Sequence, residues 1–99
     1  MINDMKKLDT ALIEPILREH NVEYAGIFGS QARGDNRPNS DIDILVRFDR
    51  PVGMFAFVGL QNKLFEATGK KIDLVTENAL SPYIKDKILS ELVTIYGRR

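Results

Sequence analysis

The sequence is marked first by what it lacks. It has no cysteine among its 99 residues, so no disulfide can form within it. It has no apolar run near the roughly 20 residues that a membrane-spanning helix needs, and it does not open on the basic and apolar pattern of a leader peptide. We therefore expect a soluble, cytoplasmic protein that has no membrane partner.

An excess of charge of either sign is also missing. Fourteen basic and fourteen acidic side chains leave no net charge, whereas a domain that holds a polyanion by itself usually presents a basic surface. The composition thus disfavours nucleic acid as a substrate. The single histidine, His20, follows a predicted helix, so a helix-end or surface position is favoured over a catalytic one.

The length predicts one domain, residues 1–99, with a modest core and no second domain to grip a substrate. If the chain is an enzyme, another molecule must therefore present the acceptor. A capping residue at Asp9 or Thr10 predicts the start of a first helix. The remaining predicted elements are strands at Glu23–Phe28, Ile42–Phe48 and Lys71–Thr76, and helices at Met54–Thr68 and from Pro82 to about Tyr96.

The order of these elements predicts an α/β (α+β) fold with a small mixed sheet of about three strands backed by helices. The helical crossover between the second and third strands favours parallel pairing of those two, and the short connection after the first strand favours antiparallel pairing there. In the helix between them, Met54, Val58 and Phe65 form the stripe expected to face the core, beside Phe57, Leu60 and Leu64. Phe55 falls outside the stripe, which leaves surface for a partner or for self-association.

Two acidic residues, Asp41 and Asp43, begin the second strand. Residues two apart on a strand point to the same face, roughly 7 Å apart along the chain. Carboxylates on one face of an otherwise apolar strand resist desolvation, so they need a solvated position or a compensating cation. A divalent ion held by oxygen ligands meets that need, while a solvated strand edge or turn cap is the plainer alternative.

A Gly-Ser turn, Gly29-Ser30, follows the first strand. Glycine lets the backbone approach a ligand and exposes N–H groups that can point at phosphate. Ser30 adds a hydroxyl and Arg33 a cationic fork, although such a turn by itself is usually only a tight turn. Joined in order to the two aspartates, with ten residues between Ser30 and Asp41, the turn predicts a nucleotide-and-metal site.

This combination resembles the minimal nucleotidyltransferases of the DNA polymerase beta superfamily, whose signature is Gly-Ser, about ten residues, then Asp-x-Asp. The third family carboxylate matches Asp73, which without the resemblance would be read as a solvated residue paired with Lys70 or Lys71. The likeness extends to Ala32-Arg33-Gly34 and to Pro82-Tyr83-Ile84-Lys85. It is greatest to the short stand-alone MNT proteins, which are antitoxins found beside HEPN-domain toxins.

The resemblance implies a Mg²⁺-dependent enzyme that transfers AMP from ATP to a hydroxyl, by preference a tyrosine, of a HEPN toxin. It implies two ions held by Asp41, Asp43 and Asp73, and a nucleotide bound by Gly29, Ser30 and Arg33. Two alternatives stay open: an antitoxin that acts by binding alone, and a nucleotidyltransferase that modifies a small molecule.

Overall fold

The computed structural model describes residues 9–29, 32 and 41–99 of the chain. The described helices are α1 (Thr10–Glu19), α2 (Met54–Thr68) and α3 (Pro82–Glu91), and a short 3-10 helix spans Glu77–Ala79. The described strands are β1 (Val22–Phe28), β2 (Ile42–Phe48), β3 (Ile72–Thr76) and β4 (Val93–Gly97). The predicted mixed sheet backed by helices is confirmed.

The strands form one sheet in the order β3-β2-β1-β4. β2 lies antiparallel to β1 and parallel to β3, as predicted. β4 pairs antiparallel with the other side of β1. β1 and β2 are therefore the central strands, and each has both of its backbone edges paired.

The last helix was predicted to run to about Tyr96, and that prediction is wrong. α3 ends at Glu91, and the chain re-enters the sheet as β4 from Val93. Its residues include the β-branched Val93, Thr94 and Ile95, which favour a strand over a helix. The fourth strand also covers the edge of β1 that a three-stranded sheet would leave open.

The core lies on one face of the sheet, under α1 and α2. Ile13 and Leu17 of α1 and Leu60 and Leu64 of α2 are buried there. They pack on apolar residues of the strands, which include Val22, Ala25, Ile27, Ile42, Ile44, Val46, Ile72 and Leu74.

The stripe predicted to face the core from α2 is rotated in the structure. Met54, Val58 and Phe65 are 77, 45 and 53% exposed, so the prediction that they face inward is wrong. Their neighbours Leu60 and Leu64 supply the buried face instead. Apolar residues occur on several sides of this helix, so periodicity alone does not determine which side is covered.

Candidate functional site

Two of the three predicted carboxylates lie side by side at the amino ends of β2 and β3. Asp43 and Asp73 are partners in the parallel register of those strands. Partners on neighbouring strands, which lie ~4.8 Å apart, point to the same face of a sheet. The register that the sequence left undetermined thus brings these two residues together.

Asp41 stands one residue before β2 and is paired with a lysine. Its Oδ2 lies 3.8 Å from Nζ of Lys71, and both side chains are exposed to solvent. The sequence had suggested a lysine partner for Asp73, whereas this contact is made to Asp41. An exposed ion pair of this kind contributes about 0–1 kcal/mol, so it is a weak competitor for a divalent cation.

The donor chemistry at this end of the sheet fits a hard divalent cation. Asp43 and Asp73 share a face, Asp41 lies two residues upstream of Asp43, and all three offer carboxylate oxygens. In the described part of the chain, no three acidic or histidine side chains lie close enough together to form a complete cage. A magnesium ion commonly takes its remaining ligands from substrate phosphates and water.

The turn after β1 is packed directly against one of these carboxylates. Gly29 has a φ of +76°, a left-handed conformation that side chains other than glycine rarely adopt. A Cβ added to Gly29 would lie 2.5 Å from Oδ2 of Asp43. The backbone conformation and the close approach of the neighbouring aspartate therefore both favour glycine here. The predicted nucleotide-binding residues Ser30 and Arg33 lie outside the described residues.

A second acidic side chain reaches the same turn, and the sequence analysis missed it. Oε1 of Glu91 accepts a hydrogen bond from the backbone N–H of Gly29, with an N···O distance of 3.4 Å. The predicted long helix placed Glu91 in its interior, far from any turn. Recognition of the β-branched run after it as a strand would have supplied the missing signal.

A cavity of about 860 Å³ opens at the opposite end of β2, away from the carboxylates. Its lining includes Phe48, Pro51, Met54, Phe57 and Glu77. None of the three aspartates contributes to it, so we do not assign the nucleotide to this cavity.

Among the described helices, none combines the length and the apolar character needed to cross a bilayer.

Comparison with known proteins agrees with this geometry. Residues 12–99 match the family model described as Polymerase beta, Nucleotidyltransferase. A candidate protein adenylyltransferase of Methanocaldococcus jannaschii is 43% identical over 94 residues, which cover 95% of this chain and 97% of that protein. The protein adenylyltransferase MntA of Thermococcus cleftensis is 30% identical over 94 residues, which cover 95% of each chain.

A solved structure supports the same assignment. The crystal structure of a toxin-antitoxin with AMP-PNP contains a chain that matches with a TM-score of 0.79 and 26% identity, over 93% of this chain and 76% of that one. The predicted nucleotidyltransferase fold is confirmed, and this family generally uses divalent metal ions. With its carboxylate-bearing strands and glycine turn, the chain belongs to the Polymerase beta nucleotidyltransferase family.

Proposed function

We propose that this chain is a Mg²⁺-dependent protein adenylyltransferase of the cytoplasm that transfers AMP from ATP to a tyrosine hydroxyl of a partner HEPN toxin and thereby acts as an antitoxin. The observation that carries the proposal is the pairing of Asp43 with Asp73 beside the Gly29 turn. Relatives named protein adenylyltransferase and a toxin-antitoxin structure with AMP-PNP support the choice of nucleotide and partner.

The reaction joins the acceptor oxygen to the α-phosphorus of ATP and breaks the bond between the α- and β-phosphates, so that pyrophosphate leaves. Asp41, Asp43 and Asp73 would hold the divalent cations, which would supply electrostatic stabilisation for the charge that develops on the attacking and leaving oxygens. In this scheme Asp73, which is exposed at the sheet surface, accepts the proton of the acceptor hydroxyl. The backbone at Gly29, with Ser30 and Arg33, holds the phosphates of the leaving group.

The acceptor comes from outside the chain in this scheme. Asp73 lies on the edge strand β3, and its exposure leaves room for a protein side chain to approach the carboxylates. A tyrosine hydroxyl of a docked partner meets this requirement directly, whereas a free small molecule would need a binding surface of its own.

The test is transfer of label from ATP that carries radioactive phosphorus at the α-position. The full chain is incubated with Mg²⁺, the labelled ATP and the protein encoded beside it, and we expect label on that partner. Asp43→Asn and Asp73→Asn should each abolish the label. Asp49→Asn, the same chemical change at the far end of β2, should leave it intact.

The same variants separate catalysis from binding. A stable complex of the original chain with its partner, formed without label on that partner, would refute the transferase proposal and favour an antitoxin that acts by binding alone. Mg²⁺ with ATP should also raise the melting temperature of the chain by mass action on the folded state. The double substitution of Asp41 and Asp43 by asparagine should remove that rise, and an unchanged rise would exclude these two residues from the site.

A further inference from the structure

Glu91 stands beside the Gly29 turn because the sheet register places it there. In the antiparallel pair of β1 and β4, Ile27 is the partner of Val93. Continuing this register by two residues on each chain reaches Gly29 on one side and Glu91 on the other. Only Leu92 separates the end of α3 from the start of β4, so the glutamate is anchored by a helix and a strand together.

The turn has acidic side chains on two sides. A Cβ added to Gly29 would lie 2.5 Å from Oδ2 of Asp43, so that oxygen leaves little room for a side chain there. Oε1 of Glu91 accepts the N–H of the same residue at 3.4 Å, and Glu91 is partly buried. Glycine adopts positive and negative φ about equally readily, so its own preferences do not fix this turn. The hydrogen bond from the N–H of Gly29 to Glu91 is an external contact that does so.

We propose that Glu91 is a positioning residue of the nucleotide site, which holds the Gly29 turn in the conformation that receives the triphosphate. This inference rests on the proposed function, because it assumes that the turn binds phosphate. The glutamate acts through Gly29 and forms no bond with the reacting atoms.

The hydrogen bond and the charge of Glu91 have opposite effects on a bound nucleotide. As a hydrogen-bond acceptor, the carboxylate fixes the turn and so favours binding. As an anion near a triphosphate, it opposes binding, since like charges at close range repel. Comparison of two variants separates these contributions. Glu91→Gln keeps an acceptor oxygen and loses the charge, whereas Glu91→Ala loses both.

The experiment is calorimetric titration of the full chain with AMP-PNP and Mg²⁺. We expect the Kd of Glu91→Ala to rise about fivefold, the scale of one ordinary hydrogen bond, because an N···O distance of 3.4 Å is long for such a bond. Glu91→Gln should stay within about threefold of the original chain, because an amide oxygen is still an acceptor. Asp86→Ala, an exposed acid on the same helix, is the matched control and should change nothing.

A second readout reports on the turn without nucleotide. In a ¹H–¹⁵N correlation spectrum of the free chain, the amide proton of Gly29 should move upfield in Glu91→Ala and remain near its original position in Glu91→Gln. Asp86→Ala should leave it unchanged. Should Glu91→Ala fail to fold, Glu91→Met, which keeps the length of the side chain and lacks the carboxylate, takes its place in both measurements.

The results that overturn the inference are distinct from those that overturn the function. Binding by Glu91→Ala equal to that of the original chain would exclude a positioning role, and tighter binding would make Glu91 a competitor of phosphate. Weak binding by Glu91→Gln, equal to that of Glu91→Ala, would refute the acceptor role. No binding of AMP-PNP by the original chain would refute the proposed function itself.

Discussion

Gly29→Ala should separate the stability of this protein from its activity. A residue with a side chain at a φ of +76° pays about 1–2 kcal/mol for the left-handed conformation, partly offset by about 0.4–1 kcal/mol from a stiffer unfolded chain. The new Cβ would also lie 2.5 Å from Oδ2 of Asp43, which must withdraw by about 0.9 Å to reach the 3.4 Å of an ordinary contact. That oxygen is the outermost atom of its side chain, so we expect side-chain rotation to make room for the Cβ at small cost in stability.

The displacement should be far more costly for catalysis. A shift of about 1 Å in a positioned group can reduce a rate by about 100-fold. We therefore expect Gly29→Ala to lose about 1 kcal/mol of unfolding free energy, or about 4–8 °C in melting temperature, and about 100-fold in AMP transfer.

Gly69→Ala is the matched control for that prediction. Gly69 has nearly the same φ, +70°, and a Cβ there would meet nothing within 4 Å. It should lose a similar unfolding free energy, measured by urea denaturation, and keep its transfer activity. Full activity in Gly29→Ala would refute the placement of Asp43 in the site, and a far larger loss of stability than in Gly69→Ala would show that the carboxylate cannot yield.

Two further predictions concern the scaffold. Leu64→Ala, at a fully buried position, should lower the unfolding free energy by about 2–5 kcal/mol. Phe55→Ala, at a position 94% exposed, should change it by less than about 0.5 kcal/mol. Equal losses in urea would contradict the observed burial of Leu64 and exposure of Phe55. Asp9 caps α1 through its Oδ1, which accepts the N–H of Ala11 at 3.0 Å, so Asp9→Ala should lose about 1 kcal/mol in a thermal melt while Asp9→Asn keeps most of it. A loss in both variants alike would point to the charge rather than the cap.

The sequence predicted the parts of this fold that depend on local signals. β2 was predicted with its observed limits, because its β-branched residues and its apolar alternation agree. α2 was also predicted with its observed limits, because Gly53 precedes it and Gly69 ends it in the left-handed conformation. Parallel pairing of β2 with β3 followed from the crossover rule.

The wrong predictions concern features of the fold that tertiary packing determines. Nothing local distinguishes the Val58 side of α2 from the Leu60 side, since both are apolar, and only packing on the sheet selects one. The strand after Glu91 forms because it can pair with the open edge of β1. Helical periodicity in the sequence gives no information about such pairing. The missed fourth strand in turn concealed the contact between Glu91 and Gly29. The proximity of Asp43 and Asp73 depended on a register that sequence does not encode locally.

The aspartates lie at the amino ends of the parallel strands, so a spectroscopic label at the other end of β2 would be distant from them. Phe48, at the other end of β2, lies five positions after Asp43, a span of about 16 Å at the rise of a strand. The exposed segment after it contains Arg50, whose recorded ion pair is with its neighbour Asp49. Because the sequence has no cysteine, Arg50→Cys would create the sole thiol, so a dye or spin label attached there could report partner docking from outside the reaction zone.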